Sequence, residues 1–418
     1  MSAAARSDLR WLFVDMNAYF ASAEQEARPE LQGRPVAVAA LMVETTCCIA
    51  VSYEAKACGV KTGMLVGQAR RLCPSLIVVE ARPTYYVRLH HKIVKAIETV
   101  LPIDAVKSID EMACRLTAWQ QEPSTALALA KEVKQAIRSH AGKTLCCSVG
   151  LAPNRFLAKV ASDMRKPDGL TMIRRSDLPN RLHALQLNDL PGIGPQMLRR
   201  LNQRGITSVT QLCRLSKEDL RDIWSGIVGV RWWHWLRGDD LPEPPTRRAT
   251  VGHSHVLPPE LRNDAGARSV AVRLLHRAAA RMRRLEYYTG SFSVAVFNIG
   301  ADRGWEGTAK LGHCRDTSTL LAVLGELWSH RPQDGIPLRV AVTLFDLAAA
   351  SSVPRSLFEE DRQRDRLSKI VDQVNERFGS TRLYFAPMFE AHDTAPVRIA
   401  FTQVPDEADV SMAEMAMR

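Results

Sequence analysis

At 418 residues the chain has room for two to four domains, each with a core of its own. Its 46% apolar and 24% charged residues are ordinary for a globular protein, and no low-complexity tract or membrane-span-length apolar run interrupts it. The 56 Lys and Arg against 45 Asp and Glu leave a net charge of +11, which suits a polyanionic partner such as nucleic acid. The nine cysteines include no C-x-x-C pair and no Cys/His spacing suited to zinc. They read as reduced, mostly buried thiols of a cytoplasmic protein. The first residues, "MSAAARSDLR", lack an apolar stretch of signal-peptide length.

"WLFVDMNAYFASAEQ" begins with a strand-like run that ends on Asp15, followed closely by Tyr19 and Phe20. A carboxylate at the end of a buried strand is costly unless something pairs it. Up to about residue 172, strand-like runs at 36–40, 77–80 and 145–151 alternate with helical patterns such as "YYVRLHHKIVKAIETVL" and "ALALAKEVKQAIRSHAG". This alternation predicts an α/β or α+β unit. Between 174 and 240 the pattern changes to short helices broken by glycines, and the proline-rich "GDDLPEPPTRRAT" reads as a linker. Beyond it come a strand at 250–256, an amphipathic helix over 266–285, strands at 292–299 and 305–311, a helix near 317–328 and the strand "LRVAVTLFDL". This β-α-β-β-α-β order predicts a four-stranded sheet backed by two helices. The tail holds one charged helix, "LFEEDRQRDRLSKIVDQVNERFG", and two strand-like runs.

"VKSIDEMACRL" places Asp110 and Glu111 at the end of another apolar run. Together with Asp15 they could hold two Mg²⁺, since hard cations take carboxylate oxygens and two close ions can assist phosphoryl transfer. Adjacent strand residues face opposite ways, so the two neighbours converge only if the chain turns there. Residue type alone leaves open a strand-end turn with solvated acids. Tyr53 and Lys56 in "SYEAKACGVKTGM" share a helical face, and Lys159 and Lys166 lie in "NRFLAKVASDMRKPDGL". Hydroxyl and ammonium groups of this kind suit a triphosphate, or are simply solvated surface. No Walker loop is present. "LNDLPGIGPQMLRRLNQRGITSVTQL" has a helix-hairpin-helix pattern, in which Gly192 and Gly194 let the backbone approach a phosphate and Arg199 and Arg200 follow on the second helix. A tight αα-hairpin used only for packing remains the other reading.

Taken in order, "FVDMNAYFASAE", "SYEAKACGVKTGM", "SIDE" and "CSVGLAPNRFLAKVASDMRKPDGL" resemble the motifs of the Y-family translesion DNA polymerases, nearer the DNA polymerase IV branch, over about residues 11–350. The resemblance implies an α+β multidomain right hand. Its palm would take residues 8–22 and 83–173, small fingers 23–82, a helix-hairpin-helix thumb 174–240 and a linker 241–251. The β-α-β-β-α-β little finger would take 252–350 and a C-terminal extension 351–418. It implies Asp15, Asp110, Glu111 and the Met16 carbonyl as ligands of two Mg²⁺. Tyr53, Lys56 and Lys166 would hold the triphosphate of an incoming dNTP. Phe20 falls where the family places its steric gate, a ring against the sugar that leaves no room for a 2′-hydroxyl, with Tyr19 packed beside it. Arg247 and Arg248 would touch phosphate, and Ser356, Leu357 and Phe358 match part of a sliding-clamp-binding peptide. The implied protein is a monomeric, error-prone DNA-directed DNA polymerase without proofreading that extends a primer-template past damage. Its alternative is a catalytically weak, polymerase-like adaptor.

Three departures from the family pattern stand out. Asn17 replaces an Asp at a position that is not a usual metal ligand, so the change is expected to matter little. Lys56 replaces an Arg, losing a bidentate fork but keeping the charge. Arg115 replaces an acid after "SIDE", which puts a cation beside the expected metal site. The tryptophans of "RWWHWLRG" are expected to be packing residues rather than base-stacking ones, and His253 and His255 to be ordinary strand histidines.

Overall fold

β1 (Trp11–Met16) is buried along its whole length because it is paired on both sides. It is the middle strand of a five-stranded sheet, flanked by β6 and β7 as defined below. The computed structural model describes residues 9–243, 248–300, 304–354, 356–378, 382–391 and 404. The chain divides into two compact units, one running to Glu243 and the other from residue 244.

In the first unit, β1 leads into α1 (Tyr19–Ala27). The chain then makes a small three-stranded sheet of β2 (Val36–Ala39), β3 (Cys48–Val51) and, after α2 (Tyr53–Ala57) and α3 (Val66–Leu72), β4 (Ile77–Glu80). α4 (Pro83–Glu98) starts on a proline, whose fixed φ suits a first helical turn, and buries Tyr86, His90, Ile93 and Ile97 on one face. The hairpin of β5 (Ala105–Ser108) and β6 (Glu111–Arg115), α5 (Pro123–His140), β7 (Cys147–Ala152), α6 (Arg155–Asp163) and β8 (Leu170–Met172) complete the sheet in the order β5-β6-β1-β7-β8. α6 is capped by the Asn154 carboxamide, which accepts the Leu157 N–H at 2.8 Å. As expected for paired cysteines on a strand, Cys47 and Cys48 differ in exposure, as do Cys146 and Cys147.

The segment ahead of the helix-hairpin-helix glycines is not the expected helix. It forms three short 3-10 turns at Arg175–Asp177, Asn180–Leu182 and Leu187–Asp189. Asp177 and Asp189 accept backbone N–H groups three residues back, and these local bonds with Pro179 close turns at the expense of a helix. α7 (Pro195–Gln203), α8 (Val209–Arg214), α9 (Lys217–Trp224) and α10 (Ile227–Leu236) follow. Trp232 is buried in their shared core, with Trp233 and Trp235 packed against it.

The second unit has the expected order: β9 (Thr250–Val256), α11 (Asp264–Arg284), β10 (Tyr287–Asn298), β11 (Trp305–Cys314), α12 (Thr317–Ser329) and β12 (Pro337–Ala349), in a sheet ordered β11-β10-β12-β9. His255 is buried and His253 half-buried on β9. Beyond residue 350, α13 (Glu359–Phe378) is tied down by two forked ion pairs. Arg283 donates to Asp372 at 2.6 and 2.8 Å, and Arg315 to Asp365 at 2.7 and 2.5 Å. No strand follows among the described residues; Ala386–Ala391 is a 3-10 turn whose Met388 and Ala391 are fully buried in the domain's main core.

Candidate active site

The hairpin between β5 and β6 explains how neighbouring acids face one cleft. Ser108 pairs with Glu111 across it, so Asp110 sits in the turn and Glu111 opens the next strand. The alternation that would have separated them does not apply at a turn. Asp15 lies directly opposite Glu111 in the ladder, and the Met16 N–H donates to the Asp110 carbonyl at 2.9 Å. Ser108 Oγ donates to Asp110 Oδ1 at 2.5 Å, and His90 donates from Nδ1 to the Ile109 carbonyl at 2.7 Å, which holds the turn from below.

Asp15, Met16, Asp110, Glu111, Tyr53, Lys56, Lys159 and Lys166 line one cleft of about 350 Å³. Lys159 Nζ pairs with Asp15, with Glu111 at 2.8 Å and with Asp163 at 3.1 Å. Lys166 Nζ reaches Asp15 at 2.7 Å and Asp163 at 2.8 Å. Burial and the neighbouring Asp15 and Glu111 charges raise the Asp110 carboxyl above the usual carboxylate range, although the Ser108 bond opposes this. Burial works against the Lys159 charge, but Asp15, Asp163 and Glu111 outweigh it and hold the ammonium well above its ordinary value. On the other wall, burial and the nearby Lys166 lower Lys56, whose ammonium stands 4.2 Å over the Tyr53 ring.

Among the described residues no three His, Cys, Asp or Glu side chains close on a common point as a finished metal cage. The Lys159 ammonium bridges Asp15 and Glu111 instead. The donor set still fits a hard divalent cation: three carboxylates line one cleft, Asp15 and Glu111 already hold an ammonium group, and Asp110, raised chiefly by burial, also feels the repulsion of those two charges.

Phe20 is buried and stacks on Tyr86, with ring centroids 4.4 Å apart and planes at 14°. Tyr19 lies beside Phe20, and its hydroxyl donates to the Tyr86 carbonyl at 2.6 Å. The Tyr86 hydroxyl donates in turn to Glu24, a fully buried carboxylate that also takes two bonds from Arg82. Sequence reading missed Tyr86 and Glu24; the available signal was an acid three and four residues after Ala21 and Phe20, on the same face of α1. It also missed Ile49, Ala50 and Thr62, small or medium side chains that line the cleft.

Arg115 does not stand beside the acids. It pairs with Trp11, at the other end of the β1–β6 ladder from Asp15 and Glu111, roughly 13 Å away at the rise of a strand. There it donates to Asp240 at 3.3 Å. Gly192 has φ +99°, the left-handed backbone that its hairpin requires, and Gly194 caps α7. Arg199 is exposed, whereas Arg200 spends one N–H on the Ile223 carbonyl at 3.0 Å. Arg248 lies near Arg281 in the second unit, and Arg247 is outside the described residues. Leu357 and Phe358 are 89% and 74% exposed, and the Ser356 hydroxyl donates to Asp361 at 2.8 Å.

Residues 14–163 match the model of the impB/mucB/samB family. The chain is 34% identical to a DNA polymerase IV of Moorella thermoacetica, over 91% of this chain and 96% of the relative. It is 31% identical to a DNA polymerase IV of Pelotomaculum thermopropionicum, over 88% of this chain and 92% of the relative. Among solved structures, a chimeric Y-family DNA polymerase superposes with a TM-score of 0.68 at 24% identity, covering 81% of this chain and 99% of its own, a likeness of fold. The family model, the relatives and the fold agree: the chain belongs to the Y-family DNA polymerases, in the DNA polymerase IV group.

Proposed function

We propose that the protein is an error-prone, DNA-directed DNA polymerase that carries out translesion synthesis in the cytoplasm, acting as a monomer on primer-template DNA. The observation supporting this most directly is the meeting of Asp15, Asp110 and Glu111 with Tyr53, Lys56 and Lys166 across one cleft. Asp15, Asp110, Glu111 and the Met16 carbonyl are the groups that would hold two Mg²⁺. When bound, these ions increase the nucleophilicity of the primer 3′-hydroxyl and offset charge on the phosphates. The primer 3′-oxygen attacks the α-phosphorus of a dNTP and pyrophosphate leaves. Tyr53 donates a hydrogen bond to the triphosphate, while Lys56 and Lys166 neutralise it. Phe20, backed by Tyr86, excludes a 2′-hydroxyl, and Tyr19 holds that wall in place.

The hairpin of Gly192 and Gly194 with Arg199 grips the DNA backbone without regard to sequence. Arg200 supports this hairpin through its Ile223 bond, and Arg247 and Arg248 add phosphate contacts. The exposed Leu357 and Phe358, after Ser356, fit a peptide that docks on a sliding clamp. No helix among the described residues is long and apolar enough to cross a membrane. A cation beside the metal site would favour the catalytically weak adaptor, but Arg115 lies at the far end of the ladder from the acids.

A primer-extension assay with Mg²⁺ and dNTPs tests the proposal. Asp15→Ala, or Asp110→Ala with Glu111→Ala, abolishes extension and leaves DNA affinity nearly intact. Extension that survives these substitutions refutes the metal assignment.

A further inference from the structure

The loop 165–169 carries Lys166 to the cleft, and its backbone is held from both sides. Asn17, 2% exposed just beyond β1, accepts the Asp168 N–H on Oδ1 at 2.7 Å and donates from Nδ2 to Ser148 Oγ at 3.1 Å. Ser148, fully buried on β7, accepts the Gly169 N–H at 3.2 Å. From α5, Lys134 donates to the carbonyls of Asp168 at 2.7 Å and Gly169 at 3.2 Å, and pairs with the Asp168 carboxylate at 2.8 Å. The turn itself is tight: a Cβ at Gly169 would lie 1.7 Å from the Arg165 carbonyl oxygen.

We propose that Asn17, acting with Ser148 and Lys134, is a positioning residue for the nucleotide site: it fixes the loop that sets where the Lys166 ammonium meets the triphosphate. The inference rests on the reading of Lys166 as a phosphate ligand. Asn17 sits two residues beyond Asp15 and is the partner that the Asp168 N–H has inside the protein. Truncating its carboxamide removes that anchor and leaves the exposed Asp168 N–H to water, so the loop is no longer pinned there and Lys166 is held less firmly against the cleft. A lysine ammonium is a point charge on a flexible stem and tolerates small shifts, so the effect is moderate and falls on ground-state binding.

The test is a double-mutant cycle read by equilibrium binding of dNTP to the enzyme on a dideoxy-terminated primer, with steady-state insertion kinetics alongside. Asn17→Ala weakens dNTP binding and raises KM about ten-fold, with a much smaller change in kcat. Asn17→Asp keeps the oxygen that accepts the Asp168 N–H, loses the Nδ2 donor, and lets Ser148 Oγ donate to the carboxylate instead, so KM stays close to the wild-type value. Lys166→Ala weakens binding at least as much, and adding Asn17→Ala to it costs little more, because the lysine being positioned is gone. Ser148→Ala serves in the same cycle if Asn17→Ala does not fold. A variant that loses melting temperature while its dNTP affinity stays unchanged overturns the inference, as do effects that multiply fully in the double variant. If Lys166→Ala itself leaves dNTP affinity unchanged, the phosphate role of Lys166 falls, and this inference with it. If Lys166→Ala weakens binding and Asn17→Ala does not, the positioning role alone fails.

Discussion

Replacing Glu24 by alanine isolates the support beneath the sugar-facing wall. Glu24 is fully buried, takes bonds from Arg82 at 2.9 and 2.8 Å, and accepts the Tyr86 hydroxyl at 2.7 Å. Once the carboxylate is gone its partners behave differently. The Arg82 side chain is 39% exposed and swings into water at small cost, whereas the Tyr86 hydroxyl, on a residue 1% exposed, has no such route. A stranded buried hydroxyl costs about 1–3 kcal/mol, and the lost charge-assisted bonds add about as much before the relief of no longer burying a carboxylate is subtracted. The net is roughly 3 kcal/mol, which lowers the melting temperature of a unit of this size by about 6–12 °C. Scanning calorimetry of the polymerase unit's transition measures the shift, and Glu24→Gln, which keeps an acceptor, loses less. Because Phe20 rests on Tyr86, ribonucleotide incorporation by Glu24→Ala rises as well. A melting shift below about 2 °C, smaller than a single kcal/mol produces, refutes the argument.

Phe20→Ala admits ribonucleotides, and sugar discrimination unchanged from the wild type in a paired dNTP/rNTP insertion assay removes the gate assignment. Arg199→Gln lowers the slope of log affinity against log salt by about 0.9, one phosphate contact, with no loss of melting temperature. Arg200→Ala instead lowers the melting temperature, since the Ile223 carbonyl loses its partner. Burial lowers His90 to about 4, so its neutral form is the one built into the fold. Its contribution is complete above the ordinary histidine value near 6.5 and is lost as the pH falls through about 4, and His90→Gln flattens that part of the stability profile. A wild-type melting temperature constant from about pH 7 to pH 4 contradicts this.

The strands were legible because apolar runs such as that of β1 admit only a buried reading, and the cleft was legible because four short motifs occur in order. One misplacement came from treating sequence distance as spatial distance. Arg115 is four residues from Glu111, close in a list but a strand's length away in an extended chain. Asp110 and Glu111 are adjacent and needed a turn between them to face one cleft; alternation states that condition, and the two-residue turn at Ile109 and Asp110 meets it. Asn17 was judged solely as a possible metal ligand, and its hydrogen-bonding role to a loop 151 residues later has no local signature. The expected thumb helix failed to form because Asp177 and Asp189 offered the backbone nearer partners.

Met388 and Ala391 complete the core of the second unit, although four strands and three α-helices of that unit precede them. During synthesis, the sheet from β9 to β12 leaves the ribosome with part of its apolar interior still uncovered. The hydrophobic seal arrives only with the turn after α13. All the residues that line the cleft thus emerge before β9, and the second unit keeps apolar surface uncovered until the turn after α13 is made, which is where the nascent chain is most exposed to misassociation.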